Sequence, residues 1–274
     1  MLAASLAAYH MNITNAHIHG GDRTKGGIDE YNRHALTKIS NIHFAASQKS
    51  FNRIIKLGEN PKYVFNTGSP SVDDIKENRI THKNDLEKKY KLKFKGNEIL
   101  LLQHPITTQS ELSRKQILTT LNAIVKIKLP TIAIAPNSDA GNKEIFKNLK
   151  NYSKKYDFIT IYTTVPRSDF LGLLKNCGVF VGNSSSGMIE ASYFNIPVVN
   201  IGIRQEGREG GNNVTNVDYS TQAIFLAIRK SLKIKHKKFK KENLYGRGSA
   251  SAKIVRHLEK IKLDKDLIKK QIFY

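Results

Sequence analysis

The fold is indicated most clearly by one segment, Val179-Phe-Val-Gly-Asn-Ser-Ser-Ser-Gly-Met-Ile-Glu190. Its apolar start predicts a short buried strand that ends at Gly182. The serines that follow predict a helix that begins near Ser186. A buried strand that leads into a helix through small and polar residues is typical of a βαβ unit.

The turn between this strand and the predicted helix has the composition of an anion site. Free N–H groups at a helix start attract phosphate, and the hydroxyls of Ser184 and Ser185 can add donors. Gly187 would let a ligand approach the backbone, and Glu190 could accept hydrogen bonds from two sugar hydroxyls. Taken alone, the segment also fits an ordinary serine-capped helix with Glu190 as its first-turn carboxylate. It is not a Walker A loop, because no Gly-Lys-Ser/Thr follows.

On both sides of this segment, apolar strands alternate with amphipathic helices. The alternation predicts an α/β protein with parallel, doubly wound sheets. The predicted strands are residues 12–19, 41–46, 62–66, 98–103, 131–135, 158–162, 179–182 and 197–201. The predicted helices are 1–10, 29–39, 47–57, a short one opened by 68–70, about 111–126, one after Gly141, 168–176, one near 186, 219–232 and 249–262.

A polar, lysine-rich stretch divides the chain into two parts. We predict a partial N-terminal Rossmann-like domain at residues 1–82, a linker at 83–96, a C-terminal Rossmann-like domain at 97–248 and a C-terminal helix and tail at 249–274. The helix at 1–10 has no Ser, Thr, Asp or Asn cap before it, so it looks like a helix already in progress.

Ligands of parallel sheets bind at the carboxyl ends of the strands. His104 directly follows a predicted buried strand, where it could contact phosphate or act as a general acid, or be a satisfied lone histidine. Arg204 and Arg208 flank a glycine-rich loop and are suited to a diphosphate, although exposed loop arginines are equally common. Further polar strand ends carry His19-Gly-Gly-Asp22 and Asn137-Ser-Asp139.

The chain of 274 residues has 45 Lys and Arg against 23 Asp and Glu, a net charge of +22. Such a charge attracts phosphate polymers. The densest basic run, residues 229–241, contains one aromatic residue and no nucleic-acid motif, so we predict a solvated helix end and loop. We expect neither a nucleic-acid partner nor a membrane partner.

Hydrophobic residues make up 39% of the chain, which excludes a disordered protein. No apolar run approaches the ~18 residues of a membrane span, and the first residues lack the basic region of a signal peptide. The single cysteine, Cys177, excludes a disulfide scaffold and a thiolate metal site. We therefore expect a cytoplasmic protein.

Six motifs follow one another along the chain. They are His17-Ile-His-Gly-Gly-Asp-Arg-Thr24, Ile28-Asp-Glu-Tyr-Asn-Arg-His34, Leu101-Leu-Gln-His-Pro-Ile-Thr-Thr108, Pro136-Asn-Ser-Asp-Ala-Gly141, Gly182-Asn-Ser-Ser-Ser-Gly187 and Arg204-Gln-Glu-Gly-Arg208. Together they resemble the hydrolysing UDP-N-acetylglucosamine 2-epimerases of sialic-acid and related nonulosonate biosynthesis. The resemblance runs from residue 1 to about 258. It implies a GT-B-like fold, in which two Rossmann-like domains hold a nucleotide sugar in the cleft between them, the N-terminal one being incomplete here.

The resemblance also implies the reaction. A base removes the C2 proton of the sugar, UDP leaves C1, water adds to C1 of the glycal intermediate, and a proton returns to C2 on the other face. UDP and N-acetylmannosamine, or a related sugar, are the products, and no cofactor or metal is required.

Site roles are carried over by the same resemblance. His104 matches an active-site histidine near the diphosphate, and Asp29 an acid/base carboxylate with Glu30 beside it. Further residues match UDP-binding or substrate-side positions. These are His17, Arg33, Asn137, Ser184, Ser185, Glu190 and Arg208. Gly187 and Arg204 remain binding candidates from the residue pattern described above.

Two departures from the family pattern bear on the mechanism. Where part of the family has a proton-transferring Glu, this chain has His19, so either His19 or Asp22 takes that role or the substrate differs. Full members begin with a further Rossmann segment, so Met1 resembles an internal methionine. We therefore expect unpaired strand faces and a free sheet edge, with poor solubility or a need for a partner, and homo-oligomers as in the family.

Three other functions remain open from the sequence. The chain could be a non-hydrolysing UDP-sugar 2-epimerase, a GT-B glycosyltransferase or a non-catalytic UDP-binding fragment. Release of free N-acetylmannosamine instead of a UDP-linked sugar separates the first of these from the hydrolysing enzyme.

Overall fold

The computed structural model describes residues 1–234, 239 and 242–273. Much of the basic run 229–241 therefore lies outside the described residues. The chain forms two compact units, each with its own parallel sheet. The three-stranded unit comprises Met1–Thr24, Ile28–Asn78 and Asn243–Tyr274, and the six-stranded unit comprises Lys25–Gly27 and Arg79–Glu242.

The α/β class with parallel sheets is confirmed. Within the described part of the chain, no helix is both long and apolar enough to cross a membrane. The strands are β1 (Ala16–Ile18), β2 (Ile42–Ala45), β3 (Val64–Asn66), β4 (Ile99–Leu102), β5 (Thr131–Ile134), β6 (Ile159–Tyr162), β7 (Val179–Gly182), β8 (Val198–Ile201) and β9 (Val214–Val217). The helices are α1 (Leu2–His10), α2 (Asp29–Ile39), α3 (Gln48–Lys56), α4 (Asp73–Lys76), α5 (Lys83–Tyr90), α6 (Ser113–Ile127), α7 (Asn142–Lys155), α8 (Arg167–Asn176), α9 (Thr221–Lys233), α10 (Ala250–Lys260) and α11 (Lys265–Ile268).

The six-stranded sheet determines where a ligand can bind. Its strand order is β6-β5-β4-β7-β8-β9, and every neighbouring pair is parallel. Counted within the unit this order is 3-2-1-4-5-6, that of a Rossmann fold. The order reverses between β4 and β7, so the loops after these two strands flank the topological switch point.

Three helices and the sheet form the main apolar core of this unit. Ile117 and Leu121 of α6, Ile145 of α7 and Ile224 of α9 pack with alternate residues of the central strands, Leu101 among them. This burial fixes the strands, so that side chains just beyond their ends have defined positions.

The three-stranded unit has the simple order β1-β2-β3. Ile54 of α3 packs with Ala45 and Val64 in one cluster. Ile254 of α10 and Leu267 of α11 pack with residues of β2 in another cluster. The expectation of uncovered strand faces is therefore wrong for the central strand. Strand β1 lies at the edge of this sheet, where Ile18 is exposed.

The C-terminal segment is part of the three-stranded unit and not a separate helix and tail. Both carboxylate oxygens of Asp73 accept hydrogen bonds from the first turn of α10, from the N–H groups of Ala250 (2.9 Å) and Ser251 (2.7 Å). The N–H of Ser69 donates to the carbonyl of Tyr245 at 2.8 Å. Residues 243–248, which we assigned to the C-terminal domain, thus belong to the other unit.

Residues 83–96, predicted as a linker, begin with helix α5 of the six-stranded unit. Leu86 and Tyr90 are buried, and the helix packs against α8. Two apolar residues four positions apart are a weak helix signal within a lysine-rich stretch, which explains the error.

The helix predicted near Ser186 is also absent. Two short 3₁₀ turns, Ser185–Gly187 and Ala191–Phe194, take its place, and Asn195 ends them with a φ of 55°. Serine and glycine are poor helix formers. A Cβ on Gly187 would also lie 2.9 Å from the side chain of Val198, so this turn is packed tightly against the sheet.

Candidate functional site

The switch point of the six-stranded sheet is held by a reciprocal pair of hydrogen bonds. The backbone N–H of His104 donates to Asn183 Oδ1 at 2.7 Å, and Asn183 Nδ2 donates to the His104 carbonyl at 2.9 Å. Gly182 permits this approach, because its φ is 138° and a Cβ would lie 2.0 Å from the Leu102 carbonyl oxygen. The loops after β4 and β7 are thereby joined into one polar centre.

His104 is a neutral hydrogen-bond donor in this centre. Its Nδ1 accepts from the backbone N–H of Asn137 at 3.1 Å, which assigns the ring proton to Nε2. Burial, followed by the positive charge of Arg204, lowers the pKa of His104 to about 4. The ring is therefore uncharged at neutral pH, and it offers Nε2–H instead of a positive charge.

The loop after β8 brings two further donors to the same place. Arg204 Nη1 and Gln205 Nε2 both donate to the Asn183 carbonyl, at 3.1 and 3.0 Å. Arg208, four residues later, lines a cavity of about 790 Å³ at the ends of β8 and β9, with Asn200 and Asn216 in its wall. The two predicted diphosphate arginines thus have different surroundings, and Arg204 is the one beside His104.

Some groups of the serine turn after β7 already make contacts within the protein. Ser184 is buried and its hydroxyl accepts from the N–H of Ser186 at 3.4 Å. Ser185 is half-buried. Gly187 lies against Phe180 and Val198, so its missing side chain serves packing.

Glu190 is a buried carboxylate with one satisfied oxygen. Its Oε1 lies 2.8 Å from Arg167 Nη2, and its Oε2 is buried with no hydrogen-bond partner. Arg167 was not among the site residues predicted from the sequence. A signal was available, because a cation as the first residue of α8 opposes the helix dipole.

A second polar centre follows β1 in the three-stranded unit. His19 Nδ1 lies 3.0 Å from Asp22 Oδ2, and His19 Nε2 lies 2.9 Å from the Ser69 hydroxyl. The Ser50 hydroxyl donates to Asp22 Oδ1 at 2.8 Å. His19 keeps 29% of its side chain exposed, whereas Asp22 is buried. Asp22 therefore orients the ring through Nδ1, and the partly exposed ring meets Ser69 through Nε2. Ser50 and Ser69 carry no motif in the sequence and were missed.

The backbone of His19 is in the left-handed region, with φ 65°. Histidine adopts this region more readily than most residues, but it remains uncommon. Gly21, two residues later, has φ 73°, and a Cβ there would lie 2.2 Å from the Ser50 carbonyl oxygen. This glycine lets the loop approach α3, which places Asp22 beside Ser50.

Glu30 and Arg33 brace this loop from α2. Glu30 Oε2 accepts from the Thr24 N–H at 2.7 Å and from Arg33 Nη2 at 3.2 Å. Arg33 Nε donates to the Asp22 carbonyl at 3.1 Å. Asp29, the first residue of α2, is exposed. The structure thus gives Glu30 and Arg33 contacts to the loop, and leaves Asp29 accessible.

His17, proposed from the sequence for the substrate side, is buried beneath the same loop. Its Nδ1 lies 3.4 Å from the Thr37 hydroxyl. Burial, then the charges of His43 and Arg33, lower the pKa of His17 to about 4. These features support a role for His17 in packing beneath the loop. In residues 1–234, 239 and 242–273, no group of three or more His, Cys, Asp or Glu side chains could hold a metal ion.

The lowered histidine pKa values predict acid destabilisation of both units. A histidine whose pKa is lower in the native state binds fewer protons there than when unfolded, so its stabilising contribution is present above pH ~6.5 and is lost as pH falls toward 4. At pH ~5, His17 and His104 should each lower the free energy of unfolding by about 2 kcal/mol relative to its value at pH ~7.5. Burial lowers the pKa of His43 in the same direction. Urea unfolding at the two pH values measures the loss.

A free energy of unfolding that is equal or larger at pH ~5 would contradict this prediction. Glu59 provides an internal check, because hydrogen bonds from His43 and Lys270 outweigh its burial and lower its pKa to about 2. Its contribution is therefore lost only at lower pH, below the window in which the histidines act.

Comparisons with known proteins find relatives among nucleotide-sugar epimerases. A family model described as UDP-N-acetylglucosamine 2-epimerase matches residues 1–259. A UDP-N,N'-diacetylbacillosamine 2-epimerase (hydrolyzing) of Legionella pneumophila is 36% identical over 98% of this chain and 71% of its own length. The polysialic acid biosynthesis protein P7 of Escherichia coli is 35% identical over 83% of this chain and 58% of its own length. The chain therefore spans between half and three quarters of these relatives.

Solved structures share the fold. The crystal structure of UDP-GlcNAc 2-epimerase from Neisseria meningitidis bound to UDP-GlcNAc superposes with a TM-score of 0.78 at 22% identity, covering 95% of this chain and 73% of that one. The Methanocaldococcus jannaschii UDP-GlcNAc 2-epimerase in complex with UDP-GlcNAc and UDP gives 0.76 at 21% identity, covering 94% and 72%.

Proposed function

The chain belongs to the UDP-N-acetylglucosamine 2-epimerase family, and we propose that it is a hydrolysing 2-epimerase of UDP-linked acetamido sugars. The observation that carries the proposal is the polar centre at the switch point, where neutral His104, Asn183 and Arg204 meet. Relatives named as hydrolysing epimerases favour release of free sugar over a UDP-linked product. The name of protein P7 supports a place in sialic-acid or related nonulosonate biosynthesis.

The six-stranded unit would bind the nucleotide. His104 Nε2–H and the Arg204 guanidinium are donors suited to a diphosphate, whose charge grows as the C1–O bond breaks. Ser184 and Ser185 would add hydroxyl contacts to phosphate. Glu190 would accept from the ribose through its unsatisfied Oε2.

The proton transfers at C2 would use the polar centre that follows β1. We assign His19 as the proton-transfer residue, because it stands where part of the family has a glutamate and its ring is partly exposed. Asp22 fixes the ring orientation through Nδ1, as a carboxylate does for a general base in other enzymes. Asp29 is the candidate for the second proton transfer, as the resemblance implies.

The balanced reaction consumes one water. The base takes the C2 proton, the C2 electron pair forms the C1–C2 double bond, and UDP leaves with the C1–O pair. Water then adds to C1 while a proton returns to C2 on the opposite face. UDP-sugar and water thus give UDP and the free 2-epimer.

The test is a stoichiometric product assay. The chain is incubated with UDP-N-acetylglucosamine and, separately, with a UDP-diacetamido-trideoxy sugar, and UDP and free sugar are quantified together. We expect one free 2-epimerised sugar per UDP with one of the two substrates. A UDP-linked epimer would indicate the non-hydrolysing reaction, and UDP binding without product from either sugar would indicate a binding fragment. Both results would overturn the proposal.

A further inference from the structure

The ion pair between Arg167 and Glu190 has a feature that packing alone does not require. The Glu190 side chain is 5% exposed and that of Arg167 is 40% exposed. Arg167 contacts Oε1 of the carboxylate, while Oε2 is buried and has no hydrogen-bond partner. A buried carboxylate oxygen without a donor is costly, and such atoms are few in native proteins.

The position of Arg167 on its helix is also unfavourable by itself. It is the first residue of α8, where the helix dipole disfavours a positive charge. Asp169 in the same turn is engaged elsewhere, because its carboxylate accepts from Thr81 (2.5 Å), Lys89 (2.6 Å) and Tyr90 (2.7 Å). Local rules broken without an evident structural gain are typical of functional positions.

We propose that Arg167 is a positioning residue that holds Glu190 by one oxygen so that the other accepts a hydrogen bond from the ribose of the bound nucleotide. This inference rests on the proposed function, which gives Glu190 its ribose. A bound 2′- or 3′-hydroxyl would supply the donor that Oε2 lacks. Arg167 itself then makes the nucleotide site selective for ribose without touching the sugar.

The planar guanidinium matters for this role. Arginine pairs with a carboxylate in a fixed geometry, whereas a lysine ammonium acts as a point charge on a flexible stem. Glu190 lies between two 3₁₀ turns, not within a regular helix, so its backbone provides little orientation. The ion pair with Arg167 therefore orients the Glu190 side chain.

The test measures ribose discrimination. Dissociation constants of UDP, 2′-deoxy-UDP and 3′-deoxy-UDP are determined by calorimetry for wild type, Arg167→Gln, Arg167→Lys and Glu190→Gln. Arg114→Gln is the matched control, since Arg114 is exposed near the start of α6. We expect removal of one hydroxyl to weaken wild-type binding about 10- to 100-fold, as for a hydrogen bond to a charged group.

The quantity compared is the ratio of the dissociation constant of a deoxy-UDP to that of UDP. In Arg167→Gln this ratio should fall to within about threefold of unity, as in Glu190→Gln. In Arg167→Lys it should lie between the Arg167→Gln and wild-type values. The Arg114 control should keep the wild-type ratio. A merely structural ion pair would change stability but not this ratio. If Arg167→Gln and Arg167→Lys both retain wild-type discrimination, the proposal is wrong.

Failure of the inference about Arg167 and failure of nucleotide binding give different results. If wild type binds UDP and binds both deoxy analogues equally well, the inference about Arg167 is overturned while nucleotide binding stands. If wild type does not bind UDP, both are overturned. Binding measurements on UDP alone therefore separate the two claims from turnover.

Discussion

Replacing His19 with asparagine is expected to lower kcat for UDP-sugar hydrolysis by a factor of about 10²–10⁴, the usual contribution of a proton-transfer residue. Asparagine tolerates the left-handed backbone at φ 65°, so the loop keeps its shape while the base is removed. The Michaelis constant should change little, because the contribution of His19 arises in the transition state. Steady-state kinetics of UDP release measure both constants.

Two further variants complete this experiment. Asp22→Asn should reproduce much of the loss, because the amide no longer fixes the ring tautomer. His10→Ala, at an exposed position of α1 in the same unit, is the control and should retain wild-type turnover. A kcat within threefold of wild type in His19→Asn would remove His19 from the mechanism.

Replacing His104 with alanine is expected to lower kcat/KM by about 10²–10³, the cost of removing one preorganised donor from a developing anion. The variant loses the Nε2–H that the Asn137 contact assigns to the ring. Because the pKa of His104 is lowered to about 4, wild-type activity should show no inflection from this residue between pH ~6 and ~8. Initial rates across this pH range test both statements.

The control for this variant is His82→Ala. His82 is exposed in the same unit and its side chain makes no capping hydrogen bond to α5. A His104→Ala enzyme with unchanged kcat/KM, or a wild-type inflection near pH 6.5 that this variant abolishes, would contradict the neutral-donor role.

Sequence patterns predicted the six-stranded unit well. Four of its strands, β4, β5, β7 and β8, are mostly apolar and buried along their whole length, as expected of strands covered on both faces. The end of β4 gave the candidate His104, and the end of β7 gave the candidate Ser184, whereas Asn183, which joins the two loops, was not singled out. These residues lie close together because the carboxyl ends of parallel strands meet at one edge of the sheet, and the strands themselves can be recognised from the sequence.

Long-range packing could not be predicted in the same way. The return of residues 243–273 to the three-stranded unit depends on contacts such as Asp73 with Ala250, 177 residues apart. The partners Ser50 and Ser69 of the second centre lie on other elements and resemble any buried serine. Arg167 and Glu190 lie on different elements, α8 and the serine turn after β7, and meet only in the folded chain. Residue type and spacing do not reveal such long-range contacts.

The most direct test of the central claim follows the atoms of water through the reaction. The chain is incubated with its UDP-acetamido sugar in D₂O, and separately in H₂¹⁸O, and both products are examined by mass spectrometry. We expect one deuterium at C2 of the released sugar, and ¹⁸O in the sugar but not in UDP. A sugar without deuterium at C2, or ¹⁸O in the UDP phosphate, would contradict elimination from C1 and addition of water to the glycal.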